Sequence, residues 1–393
     1  MVGSHVHIYG AAALAVLAVR IILVFLNRPP TRRARPLESY SVVVPVYNEK
    51  PETLARCLNS ILAQLHRPLV VTVVDDGSAV PVDTTLAARA FERLGIHFEH
   101  VRHPTNLGKR EAIAVGLRRS GWARVLVCVD SDTVLAETAC ARLVAPFADP
   151  TTMVATGLVT ARNRASSLLT RLIDIRYTAA MEFERASQSA LGAMVCACGS
   201  LAAYRADMVH RNLDDFLGQT FMGRRCTIGD DRRLTAYGLR AGKTYYVRSA
   251  RAWTDVPETF PQWAVQQARW TRSWTRESMF AMRELPASSW GRVMVSAEVA
   301  LTGAFTAALG WALLSGNATR SLLYLGILAG IAALRSMAYL ARWDLPLSAR
   351  LSGVLLAPLY SAMALAVLPV RAWAAATAAR SDWGTRNPPS EMA

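Results

Sequence analysis

The stretch Val125-Leu126-Val127-Cys128-Val129-Asp130-Ser131-Asp132 joins a short apolar run to an acidic turn. A second run, Leu69–Val74, ends in the same way at Asp75-Asp76-Gly77-Ser78. Short apolar runs rich in β-branched residues and bounded by polar turns are typical of buried strands. Other strand-like and helically spaced segments alternate with them: Ser41–Val46, Glu52–Leu65, Leu86–Leu94, His97–Val101 and Glu111–Arg119. This alternation predicts an α/β domain with a mostly parallel sheet and flanking helices.

Polar or acidic side chains follow three of the predicted strands: Asn48, the pair Asp75 and Asp76, and the pair Asp130 and Asp132. In open parallel sheets, ligands bind beyond the carboxyl ends of the strands. We therefore expect these side chains to contribute to one substrate site, together with Tyr47.

Asp130 and Asp132 are candidate ligands for Mg²⁺ or Mn²⁺. Such ions prefer oxygen ligands and are commonly held by one or two carboxylates plus substrate phosphates. A bound ion would act as a Lewis acid on a departing diphosphate. Acidic turns are common without any metal, so the prediction depends on their position after a buried strand.

Two upstream loops could serve a nucleotide. A carboxylate in Asp75-Asp76-Gly77-Ser78 can accept the N–H of a uracil ring, although Asp-Gly is also a good turn former. Asn106-Leu107-Gly108-Lys109-Arg110 offers a glycine for close backbone approach and two cations for a diphosphate, without the P-loop pattern. A solvated turn is the alternative interpretation of Lys109 and Arg110.

Gly229-Asp230-Asp231-Arg232 contains a candidate general base. A carboxylate within hydrogen-bond reach can take the proton of an attacking hydroxyl. An inverting displacement at a sugar needs no second, nucleophilic carboxylate. We assign the base to Asp231, with Asp230 and Arg232 supporting it. The alternative is an N-cap for a helix that starts near Arg233, and the two roles are compatible.

Gln266-Gln267-Ala268-Arg269-Trp270 combines an arginine that can grip a diphosphate with an indole that offers a flat face to a sugar. Around it, residues 260–287 predict an amphipathic helix in the membrane interface, with Trp263 as an interfacial anchor. The segment Asp382-Trp383-Gly384-Thr385-Arg386 repeats the same aromatic and arginine chemistry and could close over a nucleotide.

Hydropathy adds a membrane part to the α/β domain. Four segments have about the length that crosses a bilayer as a helix: Ile8–Leu26, Val293–Leu314, Leu322–Leu340 and Leu351–Val370. Much of the formal net charge of +15 flanks these segments, as at Arg32 and Arg342, which indicates cytoplasmic flanks. This distribution argues against a nucleic-acid partner, because no basic stripe or nucleic-acid motif accompanies it.

Two ionisable residues, Glu298 and Arg335, fall inside apparent spans. Such residues usually face a cavity or a partner. A buried Glu–Arg pair between helices and a wet, positively biased path for an anionic polymer remain alternatives. The six cysteines fall in the middle domain and are expected to be reduced, without a structural metal site.

In these residues the chain resembles the bacterial class I (streptococcal-type) hyaluronan synthases, which are membrane-embedded, processive family 2 glycosyltransferases. The resemblance runs from about Ser41 to Arg386 and includes these motifs: Asp174–Tyr177, Glu184–Ser189, Gln219–Gly223, Ile228–Arg232, Thr254–Pro257, Gln266–Trp270 and Asp382–Arg386. It implies a GT-A domain on its own translocation pore, with UDP-N-acetylglucosamine, UDP-glucuronate, the nascent polysaccharide and membrane lipids as partners. No obligate protein partner is inferred.

The resemblance also implies residue roles. Asp76 would contact uridine, while Asp130 and Asp132 would hold the diphosphate and metal, with Lys109 nearby. Asp231 would be the base. At the acceptor and diphosphate end the resemblance places Gln266, Arg269 and Trp270. Trp383 and Arg386 would belong to a gating segment.

The chain also departs from the family pattern. It has one N-terminal span where the streptococcal enzymes have two. Cys198-Gly199-Ser200 replaces the usual Ser-Gly-Pro of the acceptor-side loop, where Cys198 and Gly199 are assigned to the substrate. With Cys196, this resembles the rhizobial chitin-oligosaccharide synthases, although those usually read Gly-Glu-Asp-Arg at residues 229–232. Hyaluronan is therefore the expected product, with an N-acetylglucosamine homopolymer as the alternative.

Five regions follow from this reading: a membrane anchor (1–36), a cytoplasmic GT-A domain (37–258), interfacial helices (259–290), C-terminal transmembrane or re-entrant helices (291–375) and a cytoplasmic gating segment and tail (376–393). The expected location is the plasma membrane. With the N-terminus outside, four full spans would also leave the tail outside, away from the nucleotide. We therefore expect that Leu351–Val370, which contains Pro358, does not fully cross.

Overall fold

The computed structural model describes residues 15–30, 37–314 and 316–381. The main sheet has eight strands: β1 (Tyr40–Val46), β2 (Val70–Asp75), β3 (His97–Arg102), β4 (Val125–Val129), β5 (Val134–Leu135), β6 (Thr152–Ala161), β7 (Leu201–Arg205) and β10 (Lys243–Thr254). Two short strands, β8 (Thr220–Phe221) and β9 (Arg224–Arg225), form a separate hairpin. Tyr40–Val46 and Val70–Asp75 differ by one residue from the predicted strands, and Val125–Val129 agrees with its prediction.

Helices cover this sheet and continue into the apolar part of the chain. They are α1 (Ala15–Leu26), α2 (Pro51–Leu62), α3 (Thr85–Arg93), α4 (Lys109–Arg118), α5 (Ala139–Val144), α6 (Leu168–Ala179), α7 (Ala186–Ser189), α8 (Ala206–Arg211), α9 (Leu213–Leu217), α10 (Asp230–Ala241), α11 (Phe260–Glu284), α12 (Trp290–Leu314), α13 (Ala318–Ser336), α14 (Leu347–Ala366) and α15 (Leu368–Ala376). A π-helix, Ala180–Arg185, joins α6 to α7.

The strand order is β3-β2-β1-β4-β7-β6-β10-β5. Strands β3, β2, β1 and β4 are parallel, β7 runs antiparallel to both of its neighbours, and β6 pairs in parallel with β10. All residues of β4 are buried, as expected for a strand that is covered on both faces. Because β1, β2 and β4 are parallel, the loops after Val46, Asp75 and Val129 emerge at one edge of the sheet. The predicted mostly parallel α/β sheet is thus confirmed.

Close packing holds α4 against this edge. A Cβ at Gly116 would lie 2.3 Å from a methyl carbon of Val43 in β1, so only glycine lets the helix approach this far. The first residue of α4 is Lys109, and this approach therefore brings its side chain towards the strand ends.

Helix α11 forms where the amphipathic helix was predicted. It begins at Phe260 because Thr259 and Gln262 make a capping box in which the Gln262 side chain accepts the Thr259 N–H at 3.3 Å. Trp263 is only 1% exposed and packs against Phe260 and Tyr360. Its interpretation as an interfacial anchor was wrong, since the α/β domain and α14 enclose it.

Three helices are long and apolar enough to cross a membrane in the described part of the chain: Trp290–Ala312, Ser321–Ala341 and Leu347–Ala366. They correspond to three of the predicted spans. The described part of the first predicted segment is the shorter helix Ala15–Leu26. Pro358 lies inside α14 without ending it.

A buried carboxylate links the membrane helices to the sheet. Asp174 of α6 accepts hydrogen bonds from the backbone of Ala161 at 2.9 Å, the Tyr339 hydroxyl at 2.6 Å and the Arg342 guanidinium at 3.3 Å. The connection between α13 and α14 is therefore fixed to the α/β domain. Beyond α14, Val367 packs in a cluster with Trp263 and Ile173.

Candidate active site

Lys109 lies at the centre of the acidic cluster. Its Nζ contacts Asp130 Oδ1 at 2.5 Å and Asp230 Oδ2 at 3.6 Å. Burial alone would lower the pKa of Lys109, but Asp130, Asp230 and Asp231 together raise it above its ordinary value. The alternative interpretation as a solvated turn is therefore wrong for Lys109, because its partly buried ammonium joins the loop after β4 to the start of α10.

Asp76 shapes the loop that delivers Lys109. Its carboxylate accepts hydrogen bonds from His103 Nδ1 and from the backbone N–H groups of Leu107 and Gly108, each at 2.9 Å. Gly108 has a φ of 98° and directly precedes α4. The uridine contact predicted for Asp76 stays a prediction, and the observed role is to brace residues 103–108.

Asp75 stabilises the turn that was predicted as the alternative role of its motif. Its Oδ1 accepts the Ser78 N–H at 2.9 Å and its Oδ2 accepts the Val82 N–H at 3.3 Å. Gly77 has a φ of 75°, and a Cβ there would lie 2.4 Å from the carbonyl carbon of Thr105. The Asp-Gly turn therefore packs directly on the loop that leads to Lys109.

Asp130 and Asp132 differ in ionisation. Burial would raise the pKa of Asp130, but Lys109 and the Ser200 hydroxyl, at 3.0 Å, hold it below its ordinary value. Burial and the charge of Asp130 raise the pKa of Asp132 to about 7, although the Thr254 hydroxyl donates to it at 2.8 Å. Asp130 and Asp132 therefore have opposite pKa shifts, although they are only two residues apart.

This difference fits a divalent cation. Thr254 and Thr133 both donate their hydrogen bonds to Oδ1 of the Asp132 carboxylate. Oxygen is the donor that Mg²⁺ and Mn²⁺ prefer, and substrate phosphates commonly complete such sites. The described residues contain no cluster of three or more His, Cys, Asp or Glu that could hold an ion alone. Asp132, with Asp130 beside it, would therefore share the ion with a bound diphosphate.

The loop Cys198-Gly199-Ser200 lies against the same cluster. A Cβ at Gly199 would be 3.1 Å from Lys109 Nζ and 3.8 Å from Asp231 Oδ2, so a larger residue would intrude between the two. Cys198 is half-buried and its N–H donates to the Thr156 hydroxyl at 3.0 Å. All six cysteines are free.

The predicted base is the second residue of α10. The helix begins at Asp230, three residues before the expected start, and Gly229 precedes it with a φ of 86°. A Cβ on Gly229 would lie 2.3 Å from Ser273 Oγ of α11, so glycine is needed there. Burial and the charge of Asp230 raise the pKa of Asp231, although Lys109 and Arg232 oppose the shift. A raised pKa makes the carboxylate a stronger base.

Helix α11 brings the second half of the site. Burial raises the pKa of Asp130, whereas Lys109, the Ser200 hydroxyl and, to a smaller extent, the nearby Arg269 of α11 lower it. The Trp270 ring, 43% exposed, lies 6.1 Å from the Tyr177 ring at a tilt of 38°. Gln266 contacts Tyr177, and its Oε1 is buried without a hydrogen-bond partner in the described residues.

The structure thus assembles the expected residues Lys109, Asp130, Asp132, Asp230, Asp231, Gly199 and Arg269 at one edge of the sheet. Tyr47 is half-buried after β1, and Arg232 is half-buried on α10. Trp383 and Arg386 lie outside the described residues. Sequence reasoning did not assign roles to Ser200, Thr254, His103 and Tyr177. The only signal for three of them in the sequence was that they belong to quoted motifs. These three are Ser200, Thr254 and Tyr177.

The ionisable residues of the spans do not pair with each other. Glu298 accepts a hydrogen bond from Gln188 Nε2 at 2.6 Å, and Arg335 pairs with Glu184 of the π-helix. Glu184 also pairs with Arg176 at 3.0 Å. The buried Glu298–Arg335 pair considered from the sequence is therefore wrong, because each residue bonds instead to the segment that follows α6.

Known proteins are similar to this chain over most of its length. The family model described as glycosyl transferase family 2 matches residues 41–213. The hyaluronan synthase of Streptococcus pyogenes is 34% identical over 98% of this chain and 91% of its own length. An N-acetylglucosaminyltransferase of Sinorhizobium fredii is 36% identical over 90% of this chain and 85% of its own.

The fold has a counterpart among solved structures. A mannosyltransferase from Pyrobaculum calidifontis, solved with GDP-mannose and Mn²⁺, superposes with a TM-score of 0.54 at 21% identity, over 94% of this chain and 97% of that one. This likeness concerns the GT-A fold alone. Through its sequence relatives, the chain belongs to family 2 of the glycosyltransferases, within the group of processive, streptococcal-type hyaluronan synthases.

Proposed function

We propose that this enzyme polymerises N-acetylglucosamine and glucuronate from their UDP-sugars into hyaluronan, with inversion at the anomeric carbon. The observation that carries the proposal is the convergence of Lys109, Asp130 and Asp231 within reach of the Cys198–Ser200 loop. These groups supply what the transfer needs, namely charge for a leaving diphosphate and a base for an incoming hydroxyl.

Asp231 takes the proton of the acceptor hydroxyl as that oxygen attacks the anomeric carbon. Its raised pKa, caused by burial and Asp230, makes it a better proton acceptor than an exposed aspartate. The hydroxyl approaches over Gly199, because the absence of a side chain there leaves Asp231 Oδ2 open.

The leaving diphosphate is held from two sides. Lys109 and Arg269 lie beside Asp130 and bring positive charge to the position where negative charge develops. Asp132, with Asp130, would hold Mg²⁺ or Mn²⁺, which when bound neutralises charge on the diphosphate. The binding residues are therefore divided between the sheet edge and α11.

The acceptor end is built by α6 and α11. The exposed face of Trp270 next to Tyr177 suits stacking of a sugar ring, and the unpartnered Gln266 Oε1 can accept a bond from a sugar hydroxyl. Tyr177 lies near Cys198 in the loop that adjoins Asp231, so an acceptor held in this position is directed towards the base and can remain bound between additions.

A chitin-like homopolymer is the second candidate product. The loop Cys198-Gly199-Ser200 and the rhizobial N-acetylglucosaminyltransferase relative favour it. Purified protein in lipid, given radiolabelled UDP-N-acetylglucosamine with and without UDP-glucuronate, distinguishes the two. We expect high-molecular-mass product only with both nucleotides. Equal incorporation from UDP-N-acetylglucosamine alone would contradict hyaluronan and favour the homopolymer.

We also propose that the polymer is exported through the membrane helices and that the catalytic domain lies on the cytoplasmic side. Helix α12 starts against the domain, where Gly291 adjoins Leu239, and the connection after α13 returns to it at Arg342. Helix α14 starts next to that connection, and Val367 at its end packs on Trp263. These contacts support a crossing pair α12–α13 and an α14 that does not fully cross.

A further inference from the structure

The chain that follows α15 docks on the loop that precedes α10 and the predicted base Asp231. One buried guanidinium, that of Arg276 in α11, makes most of this contact. Its NH1 donates to the carbonyl oxygens of Ala378 at 2.9 Å and Arg380 at 3.1 Å, and to Ser381 Oγ at 3.2 Å. The Thr227 hydroxyl adds a bond to the carbonyl oxygen of Ser381 at 2.7 Å.

The same guanidinium holds the loop that carries the base. Arg276 NH2 donates to the carbonyl oxygen of Ile228 at 3.1 Å, and Arg110 NH2 donates to the same oxygen at 3.1 Å. Ile228 is followed by Gly229, Asp230 and Asp231. A shift of this carbonyl would therefore move the first turn of α10 and the carboxylate of Asp231 with it.

The neighbouring residue fixes the two flanks of this loop. Glu277 accepts hydrogen bonds from Gln219 Nε2 at 2.8 Å and from Arg233 Nε at 2.7 Å. Both flanks of the loop are thus tied to α11 through Glu277, while Ile228 in its middle is tied through Arg276. Of these two links, only the one through Arg276 also reaches the C-terminal segment, so that segment can influence the loop at Ile228.

We propose that Arg276 is a positioning residue that couples docking of residues 378–381 to the alignment of Asp231. With the segment docked, Arg276 is held on both sides and fixes Ile228 and the start of α10. Without those bonds, the guanidinium loses three of its acceptors and the base is less well aligned. The proposal rests on the assignment of Asp231 as the base.

The coupling predicts a loss of turnover without a loss of nucleotide binding. In purified full-length protein, Thr227→Val removes one neutral hydrogen bond to the segment and should lower kcat about fivefold. Arg276→Gln should lower it about 30-fold or more, since it removes bonds from a charged donor. The KM for UDP-N-acetylglucosamine and the Kd for UDP should stay within about twofold of the parent values.

Two further variants separate coupling from general damage. Thr275→Val is the matched control, because in the described part of the chain the Thr275 hydroxyl bonds within α11, to the Thr271 carbonyl oxygen at 2.9 Å, and kcat should be unchanged. Ser381→Ala should lower kcat in the parent but add nothing on the Arg276→Gln background, since both remove the same contact. If Arg276→Gln does not fold, the Thr227→Val and Ser381→Ala variants carry the test.

Parent-like kcat for Thr227→Val and Ser381→Ala would overturn the coupling, as would a rise in KM that matches the fall in kcat. Failure of the underlying function is recognised separately with Asp231→Asn. If that variant still synthesises polymer, the assignment of the base is wrong. If it is inactive while Thr227→Val equals Thr275→Val, only the coupling is wrong.

Discussion

Lys109 and Asp230 set the ionisation of the predicted base. Desolvation and the charge of Asp230 raise the pKa of the half-buried Asp231, whereas Lys109 and Arg232 lower it. Lys109 is itself shared between Asp130 and Asp230, at 2.5 Å and 3.6 Å. The proton affinity of Asp231 therefore depends on neighbours from a sheet-edge loop, α4 and α10.

The residue-scale prediction concerns pH. A base must be ionised, so transfer falls as pH drops through the raised pKa of Asp231. Asp230→Asn removes the neighbouring negative charge and leaves Lys109 nearby, which lowers the pKa of Asp231. The acid limb of the kcat/KM profile should therefore move to lower pH, even if the maximal rate also falls. The measurement uses saturating metal, which keeps Asp132 ionised.

The matched control for this profile is Asp214→Asn, a change at an exposed aspartate in the first turn of α9. It should leave the acid limb in place. An acid limb that stays at the parent pH in Asp230→Asn would show that Asp230 does not control the base.

Close approach of helices to the sheet is the main feature at the scale of elements. The predicted helical segment Glu111–Arg119 forms as part of α4, but periodicity could not reveal how near it lies to β1. Gly116 determines that distance, because a Cβ there would meet both methyl carbons of Val43, at 2.3 and 2.4 Å. The position of Lys109 depends on the same contact.

Gly116→Ala should destabilise the catalytic domain by about 1–3 kcal/mol, because the added methyl overpacks a filled contact. The destabilisation is measured as loss of activity during thermal or denaturant treatment. Adding Val43→Ala to the Gly116→Ala chain should recover part of the stability. Gly330→Ala in α13 is the control, since nothing lies within 4 Å of that Cβ. Equal stability of Gly116→Ala and Gly330→Ala would contradict the packing argument.

At the scale of the whole molecule, contacts with the catalytic domain constrain the membrane topology. The domain is contacted at the start of α12, between α13 and α14, after α14 and again at Ser381. A chain that leaves and returns to the same side crosses the membrane an even number of times. Of the three candidate spans between Trp290 and Ser381, the proposed topology therefore has two that cross fully and an α14 that does not.

Labelling in sealed vesicles tests this topology. Cysteines introduced as Trp343→Cys and Ala379→Cys should react with a membrane-impermeant maleimide only from the side of the catalytic domain. Ala318→Cys, at the start of α13, should react only from the opposite side. The parent protein, in which five of six cysteines are buried, provides the background. Reaction of Ala379→Cys from the opposite side would show that α14 crosses fully.

The local pattern of the sequence was enough to predict β1 to β4, the helices that alternate with them and the acidic residues at the strand ends, but β5 to β10 were not predicted. Strand periodicity and turn chemistry are local, so β4 and the Asp130–Asp132 turn could be identified without coordinates. Order of motifs along the chain also indicated the family, which the match to streptococcal hyaluronan synthase over 98% of the chain confirmed.

Only the tertiary structure decided which long-range neighbours each side chain has. Ser200 lies 70 residues from Asp130, Thr254 lies 122 residues from Asp132 and Arg276 lies 102 residues from Ala378. No pattern along the chain encodes such distances, because they arise when separate elements pack on one sheet. Burial of Trp263 and the return of α14 to the catalytic domain have the same origin, since apolar composition does not distinguish a protein interior from a lipid bilayer.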